Sequence, residues 1–137
     1  MNVNEELQIK LNYVKRYLIY EFFKNYDKDE ILSTGEHITD INGYKVYEFD
    51  KGTIIEMSLN RLSNRASFAS MVFYNIAERV RKEDDNWYVK IHGNEEFIPL
   101  DVQGSIYQIF DKDSKIVDND KFFNSVDEIK THISQNT

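Results

Sequence analysis

The sequence predicts an α+β fold, and three observations carry that prediction. Residues 64–82 place Ala69, Val72, Phe73, Ile76, Ala77 and Val80 at spacings of three and four, the pattern of a helix with one apolar side. Asn42-Gly43 stands between two β-rich runs, HITDI and YKVYEF, and Asn-Gly tolerates the positive φ that a type I′ hairpin turn demands at both central positions. Hairpin turns dominate the rest of the chain, without the strand–helix alternation of a parallel sheet. The expected architecture is a single domain over residues 1–137, in the order α-βββ-α-ββ(ββ)-α. It has one mostly antiparallel sheet of five to seven strands, two long helices on one face of it and a short C-terminal helix.

Element by element, the first helix is expected over residues 4–25. Asn4 can cap it, Glu5 and Glu6 suit its first turn, and Leu7, Leu11, Val14, Leu18 and Phe22 form its inner stripe. Tyr13, Tyr17 and Tyr20 flank that stripe, either as a packed face with wet hydroxyls or, if exposed, as a patch facing a partner. Residues 26–36 are polar, contain Gly35 and read as a loop. After the Asn42-Gly43 hairpin, Asp50-Lys51-Gly52 makes a second reversal. Residues 53–59 then alternate Ile55, Met57 and Leu59 with Glu56 and Ser58, which predicts a third strand. Ser63 or Asn64 can cap the central helix, which Phe68, Met71 and Tyr74 make apolar over a wide arc and which closes in Arg79, Arg81 and Lys82.

The charged turn Glu83-Asp84-Asp85-Asn86 leads into a strand in which Trp87, Val89 and Ile91 alternate with Tyr88, Lys90 and His92. Gly93-Asn94 turns the chain, and residues 97–102 follow as an edge or broken strand, because Pro99 cannot donate to a ladder. Residues 106–110 form a further strand, with Ile116 and Val117 pairing to it across 111–115. Ser125-Val126-Asp127-Glu128 is a capping box opening a short helix with Ile129 and Ile133 inside, and residues 134–137 should fray.

Composition narrows the function classes. Hydrophobic residues at 41% and aromatics at 14% supply an ordinary, ring-rich core. The chain contains no cysteine, which excludes disulfides, thiolate nucleophiles and thiolate zinc sites and suits a reducing compartment. No apolar run approaches the ~18 residues of a membrane span, and the first ten residues are too polar for a signal peptide, so a cytoplasmic protein is expected. The net charge of −7 is lopsided. Residues 1–82 hold 12 Lys+Arg and 12 Asp+Glu, whereas residues 83–137 hold 5 against 12. An acidic half repels phosphate backbones and favours basic partners, or simply keeps the protein in solution.

Recognisable catalytic and cofactor motifs are missing. Asp111, Asp113, Asp118 and Asp120 resemble a calcium loop, but the positions for its Gly and Glu hold Ile116 and Phe122, or, counted from Asp118, Ile129 at the last. His37, His92 and His132 lack ligand spacing, and Ser63, Ser67 and Ser70 sit in no nucleophile elbow. The five glycines form no phosphate-binding loop. Asp50 and Glu56 approach a nuclease motif, yet Ser58 stands where its lysine belongs. Glu95 and Glu96 are adjacent, so in a strand they face opposite sides and cannot share a proton. No metal, cofactor or catalytic residue is therefore assigned.

Basic residues cluster in 61–82, as Arg61, Arg65, Arg79, Arg81 and Lys82 against Glu78, but an apolar helix separates them and pairing within the chain explains them. Tyr88, Lys90 and His92 imitate a nucleic-acid-binding strand face, yet Asp84, Asp85, Glu95 and Glu96 give it the wrong field. Direct nucleic-acid and membrane binding are not expected.

The expected function is that of a small, acidic, non-enzymatic interaction protein. Asp84, Asp85, Glu95, Glu96, Asp111, Asp113, Asp118 and Asp120 would occupy a basic, nucleic-acid-binding surface of another protein by standing where phosphates would bind. That mode is similar in class to the DNA-mimicking anti-restriction and anti-CRISPR proteins of mobile elements. A second expectation is a dedicated chaperone or immunity protein for one secreted effector or toxin. The element order, the length and the pI of about 4.9 resemble those of type III secretion chaperones, a resemblance that implies a dimer. A third is a small-molecule-binding domain or enzyme with its ligand between sheet and helices.

Overall fold

The computed structural model of the chain describes residues 3–63, 75–100 and 102–135. Among these residues the fold is α+β, with four helices and two three-stranded antiparallel sheets. Helix α1 (Val3–Asn25) forms as its apolar spacing requires. Leu11, Val14, Leu18 and Phe22 lie on its inner face, joined by Ile19 and Phe23, and all six are buried. Each such side chain contributes about 1.5–3 kcal/mol relative to exposure.

A short helix, α2 (Lys28–Thr34), follows, with Gly35 donating its N–H to the Ile31 carbonyl at the end. Residues 26–36 are thus not a simple loop; Ile31, buried at 3% exposure, anchors a helical turn that the polar residues around it conceal.

The hairpin of β1 (Glu36–Ile41) and β2 (Tyr44–Asp50) turns at Asn42 and Gly43, with φ of 50° and 86°, as the type I′ signal requires. The next element departs from expectation. Residues 53–59 are not a strand but part of helix α3 (Lys51–Ser63), capped by Asp50, whose Oδ2 accepts the Thr53 N–H at 3.0 Å and the Thr53 hydroxyl at 2.8 Å. Ile54, Ile55, Ser58, Leu59 and Leu62 are its buried residues, a 3.6-residue rhythm. Two of them, Ile55 and Leu59, also fit the alternation with Met57 that suggested a strand. Helix α3 crosses α1, where the buried Ser58 hydroxyl donates to the Leu18 carbonyl at 2.7 Å.

The central helix expected over residues 64–82 is also overturned in its second part. Ala77–Glu83 is strand β3, paired with β4 (Asn86–Ile91), so Arg79, Arg81 and Lys82 lie along a strand and not at a helix end. The reason is a bulge. Ala77 pairs with Ile91 and Arg79 with Lys90, so Glu78 is extra, and Ala77 and Val80 face the same side although three apart. That spacing imitates a helix. Residues 64–74, with the cap at Asn64 and the stripe from Phe68 to Tyr74 expected there, lie outside the described residues.

Strand β5 (Ile98–Pro99) completes the second sheet at its edge, where Pro99 loses no ladder bond. Strand β6 (Ser105–Phe110) returns to the first sheet beside β2, giving the order β1-β2-β6, against β3-β4-β5 in the second. The expected single sheet of five to seven strands is therefore two sheets of three. Ile116 bridges to Phe110, as anticipated, and Phe123 bridges to Tyr107. Ser125 caps α4 (Val126–Gln135) through the Glu128 N–H, and the Glu128 carboxylate reaches back to the Asn124 N–H.

Helices cover both faces of the first sheet, α1 and α3 on one and α4 on the other. Phe49, Ile106 and Phe110 point into the main core with α1, α3 and the second sheet, where the rings of Phe22 and Phe23 meet Phe49 edge-on. Val46 and Ile109 point the other way, into a smaller cluster closed by Ile129 and Ile133 of α4.

Candidate functional site

The eight carboxylates singled out from the sequence occupy three places. Asp84 and Asp85 form the tip of the β3–β4 hairpin, both exposed, with φ of 50° and 67°. Glu95 and Glu96 lie in the loop after β4 and are also exposed. Six residues of extended strand separate the two pairs, roughly 20 Å at 3.3 Å per residue. Asp111, Asp113, Asp118 and Asp120 lie in the segment after β6, on the other sheet.

That last segment turns two of its carboxylates, Asp111 and Asp118, on its own backbone. Asp111 Oδ1 accepts the backbone N–H groups of Asp113 and Lys115 at 2.9 and 3.0 Å. These bonds, the Lys115 one foremost, hold the Asp111 carboxyl below the usual carboxylate range. Asp118 Oδ1 accepts the Asp120 N–H, and Asp120 itself pairs with Lys24 of α1 at 2.6 Å. Lys28 donates to the Asp113 carbonyl and Lys45 to the Ser114 hydroxyl, so lysines from α2 and β2 meet this segment. An aspartate-rich turn arises here because short carboxylates satisfy their own neighbouring backbone N–H groups.

The second sheet is different. Arg81 pairs with Glu83 at 3.2 Å and lies over the Phe97 ring at 4.3 Å; Lys90 pairs with Glu78 at 2.6 Å. Lys82 reaches Glu56 of α3 at 3.7 Å, alongside Trp87, whose ring N–H donates to the same carboxylate. All three cations are engaged within the protein; for Arg81 and Lys82 the sequence-based pairing argument anticipates it. The side chains of Asp84, Asp85, Glu95 and Glu96 have no hydrogen-bond or ionic partner among the described residues. Arg79 of β3 is exposed and makes no salt bridge among the described residues, so the sheet's unpaired charge is these four acids against one cation, a negative excess at the two ends of β4.

The tyrosines of α1 divide. Tyr13 is exposed beside Ile9, whereas Tyr20 packs edge-on against Phe122 with ring centroids 5.3 Å apart. Glu21 is buried, and that burial raises its pKa above the ordinary glutamate value despite the nearby Arg61 and Lys24. Its neighbour Tyr17 is pushed up to about 12 by burial first and by the Glu21 charge second.

Among the described residues, no three metal-ligating side chains come together, and every buried side-chain nitrogen or oxygen has a hydrogen-bond partner. None of the described helices is long and apolar enough to cross a membrane. A pocket of about 470 Å³ lies where Asn12, Lys15, Arg16, Ile19 and Tyr20 of α1 meet Lys51 and the Phe122–Asn124 segment. Sequence reasoning missed it because α1 was read for its apolar stripe. The signal was present, since residues 12, 15, 16, 19 and 20 recur at helical spacing on a second face.

Fold and surface define an α+β protein with a carboxylate-bearing sheet. No family model, curated protein or solved structure matches the chain.

Proposed function

We propose that the chain is a non-enzymatic interaction protein that occupies a basic, nucleic-acid-binding surface of another protein. The carrying observation is the electrostatics of the β3-β4-β5 sheet, where Arg81, Lys82 and Lys90 are engaged internally while Asp84, Asp85, Glu95 and Glu96 remain unpaired among the described residues. Carboxylate pairs roughly 20 Å apart along one strand suit a groove whose phosphate-binding sites lie several nucleotides apart, at about 3.4 Å of helix axis per nucleotide of one strand. Complementary charge of this kind steers encounter and fixes the register of the partner more than it adds raw affinity. In the 111–120 segment Asp111 and Asp118 serve their own turns and Asp120 pairs with Lys24, so Asp113 is the carboxylate there that extends the acidic surface.

The test is capture from host lysate by the native chain and by a variant carrying Asp84→Asn, Asp85→Asn, Glu95→Gln and Glu96→Gln. The native chain should retain a nucleic-acid-binding protein that added duplex DNA displaces, and the variant should retain far less of it. The same protein held equally by both forms would defeat the proposal.

A further inference from the structure

Helix α1 buries one side in the core and leaves the other bare. Two of the four exposed large hydrophobic residues among the described residues, Ile9 and Tyr13, stand on that bare side, 55% and 51% exposed and about one turn apart. An apolar recess of about 290 Å³ lies beside them, closed by Lys10, Asn75, Ile76 and His92. Glu6 and Arg16, also exposed, bracket the pair. Residues 6, 9, 13 and 16 follow at spacings of three, four and three, the rhythm of a seam between two helices, and share one stripe opposite the buried Leu11 and Leu18. Neither Glu6 nor Arg16 has a hydrogen-bond or ionic partner among the described residues. The stripe, acid then aliphatic then aromatic then base, is its own complement when reversed. A second α1 running antiparallel sets acid against base at both ends and Ile9 against Tyr13 between them.

We infer that two copies of the chain pair through this face, their α1 helices antiparallel about a two-fold axis. Such an axis makes every contact twice. Glu6 meets the partner's Arg16 and Arg16 the partner's Glu6, while Ile9 meets the partner's Tyr13, whose ring has the recess to enter. Other charges along α1 agree with this direction. Glu5 stands with Glu6 at one end and Lys15 with Arg16 at the other, and Glu5 and Lys15 keep their charges although each also interacts within its own copy. A parallel pair would set acids against acids and cations against cations. Lys10, beside the middle of the seam, and the net charge of −7 on each copy work against the approach. One helix face is also small against the roughly 800 Å² per partner of a standard interface. The pair is therefore weak, with a dissociation constant on the order of 10–100 μM. The acids at the ends of β4 take no part in it, so this inference and the proposed function can fail separately.

The experiment is analytical ultracentrifugation of the full chain at concentrations up to about 1 mM. The native chain should pass from monomer to dimer and stop there, because a two-fold pairing closes on itself. Glu6→Arg and Arg16→Glu each set like charges together at both ends, and each should raise the dissociation constant about tenfold or more. Mixed in equal amounts, the two variants bring acids and cations together again at both ends, and the mixture should dimerise about as tightly as the native chain. Tyr13→Ser should weaken the pair as much as either charge variant, and thermal unfolding of all three should stay within a few degrees of the parent, since the altered side chains are exposed. A monomer at every concentration, or association beyond a dimer, would overturn the inference. So would a dimer as tight in both charge variants as in the native chain, or a mixture no tighter than the variants alone.

Discussion

Gly35 has a φ of −94°, a conformation any residue adopts, yet a Cβ there would lie 2.5 Å from the Phe49 ring. Space, not backbone freedom, requires glycine. Phe49 is wedged between Phe22, Phe23 and Phe110 and has nowhere to go. Gly35→Ala should therefore cost about 1–3 kcal/mol in denaturant unfolding, the range for overpacking a core. Glu21 makes the opposite case. Its carboxyl is raised by burial, so the fold binds a proton there more readily than the unfolded chain does. That favours folding below the ordinary glutamate value, about 4.3, and the advantage is lost as pH rises through the folded value. At neutral pH the buried charge is a burden, and Glu21→Gln should raise the melting temperature at pH 7 but not in acid. A lower melting temperature at pH 7 would mean that pairing with Arg61 and Lys24 outweighs burial.

Asp50 and the Asp84-Asp85 turn act on whole elements. Asp50→Ala removes the cap of α3 and should cost about 0.5–2 kcal/mol by chemical denaturation. Asp84 and Asp85 fill the two positive-φ positions that Asn42 and Gly43 fill in the first hairpin. Replacing them by Asn and Gly should stabilise the protein by about 0.4–1 kcal/mol, since glycine adopts positive φ without strain. The proposed function adds a second consequence: that more stable variant should bind its partner less well. Elements were readable from sequence where one rule dominated. Residues 4–25 give one unbroken apolar stripe, Asn42-Gly43 one turn, and Ser125 with Glu128 one cap. Readability failed where two rules coincide. Ile55, Met57 and Leu59 satisfy the strand period, while Ile54, Ser58 and Leu62, packed under α1, settle the helix. In β3 the bulge at Glu78 gives a strand the spacing of a helix, and only the pairing with β4 reveals it.

At the scale of the whole molecule, the lopsided charge was visible in the sequence but its arrangement was not. Sequence placed all eight acids in one half of the chain. The fold sends Asp84, Asp85, Glu95 and Glu96 to the ends of β4 and ties Asp111, Asp118 and Asp120 into their own loop or to Lys24. Asp120 is held by Lys24, a cation far away in sequence that no local pattern could show, whereas Asp111 and Asp118 bond backbone N–H groups two to four residues on. The pocket at α1 was hidden likewise, because Lys51 and Phe122 come from distant elements.

The salt dependence of affinity for the captured partner tests the central claim most directly. The native chain should lose affinity steeply with ionic strength, and the variant neutralised at Asp84, Asp85, Glu95 and Glu96 should bind weakly with a nearly flat dependence. Equal affinities and equal slopes for the two forms would contradict the account.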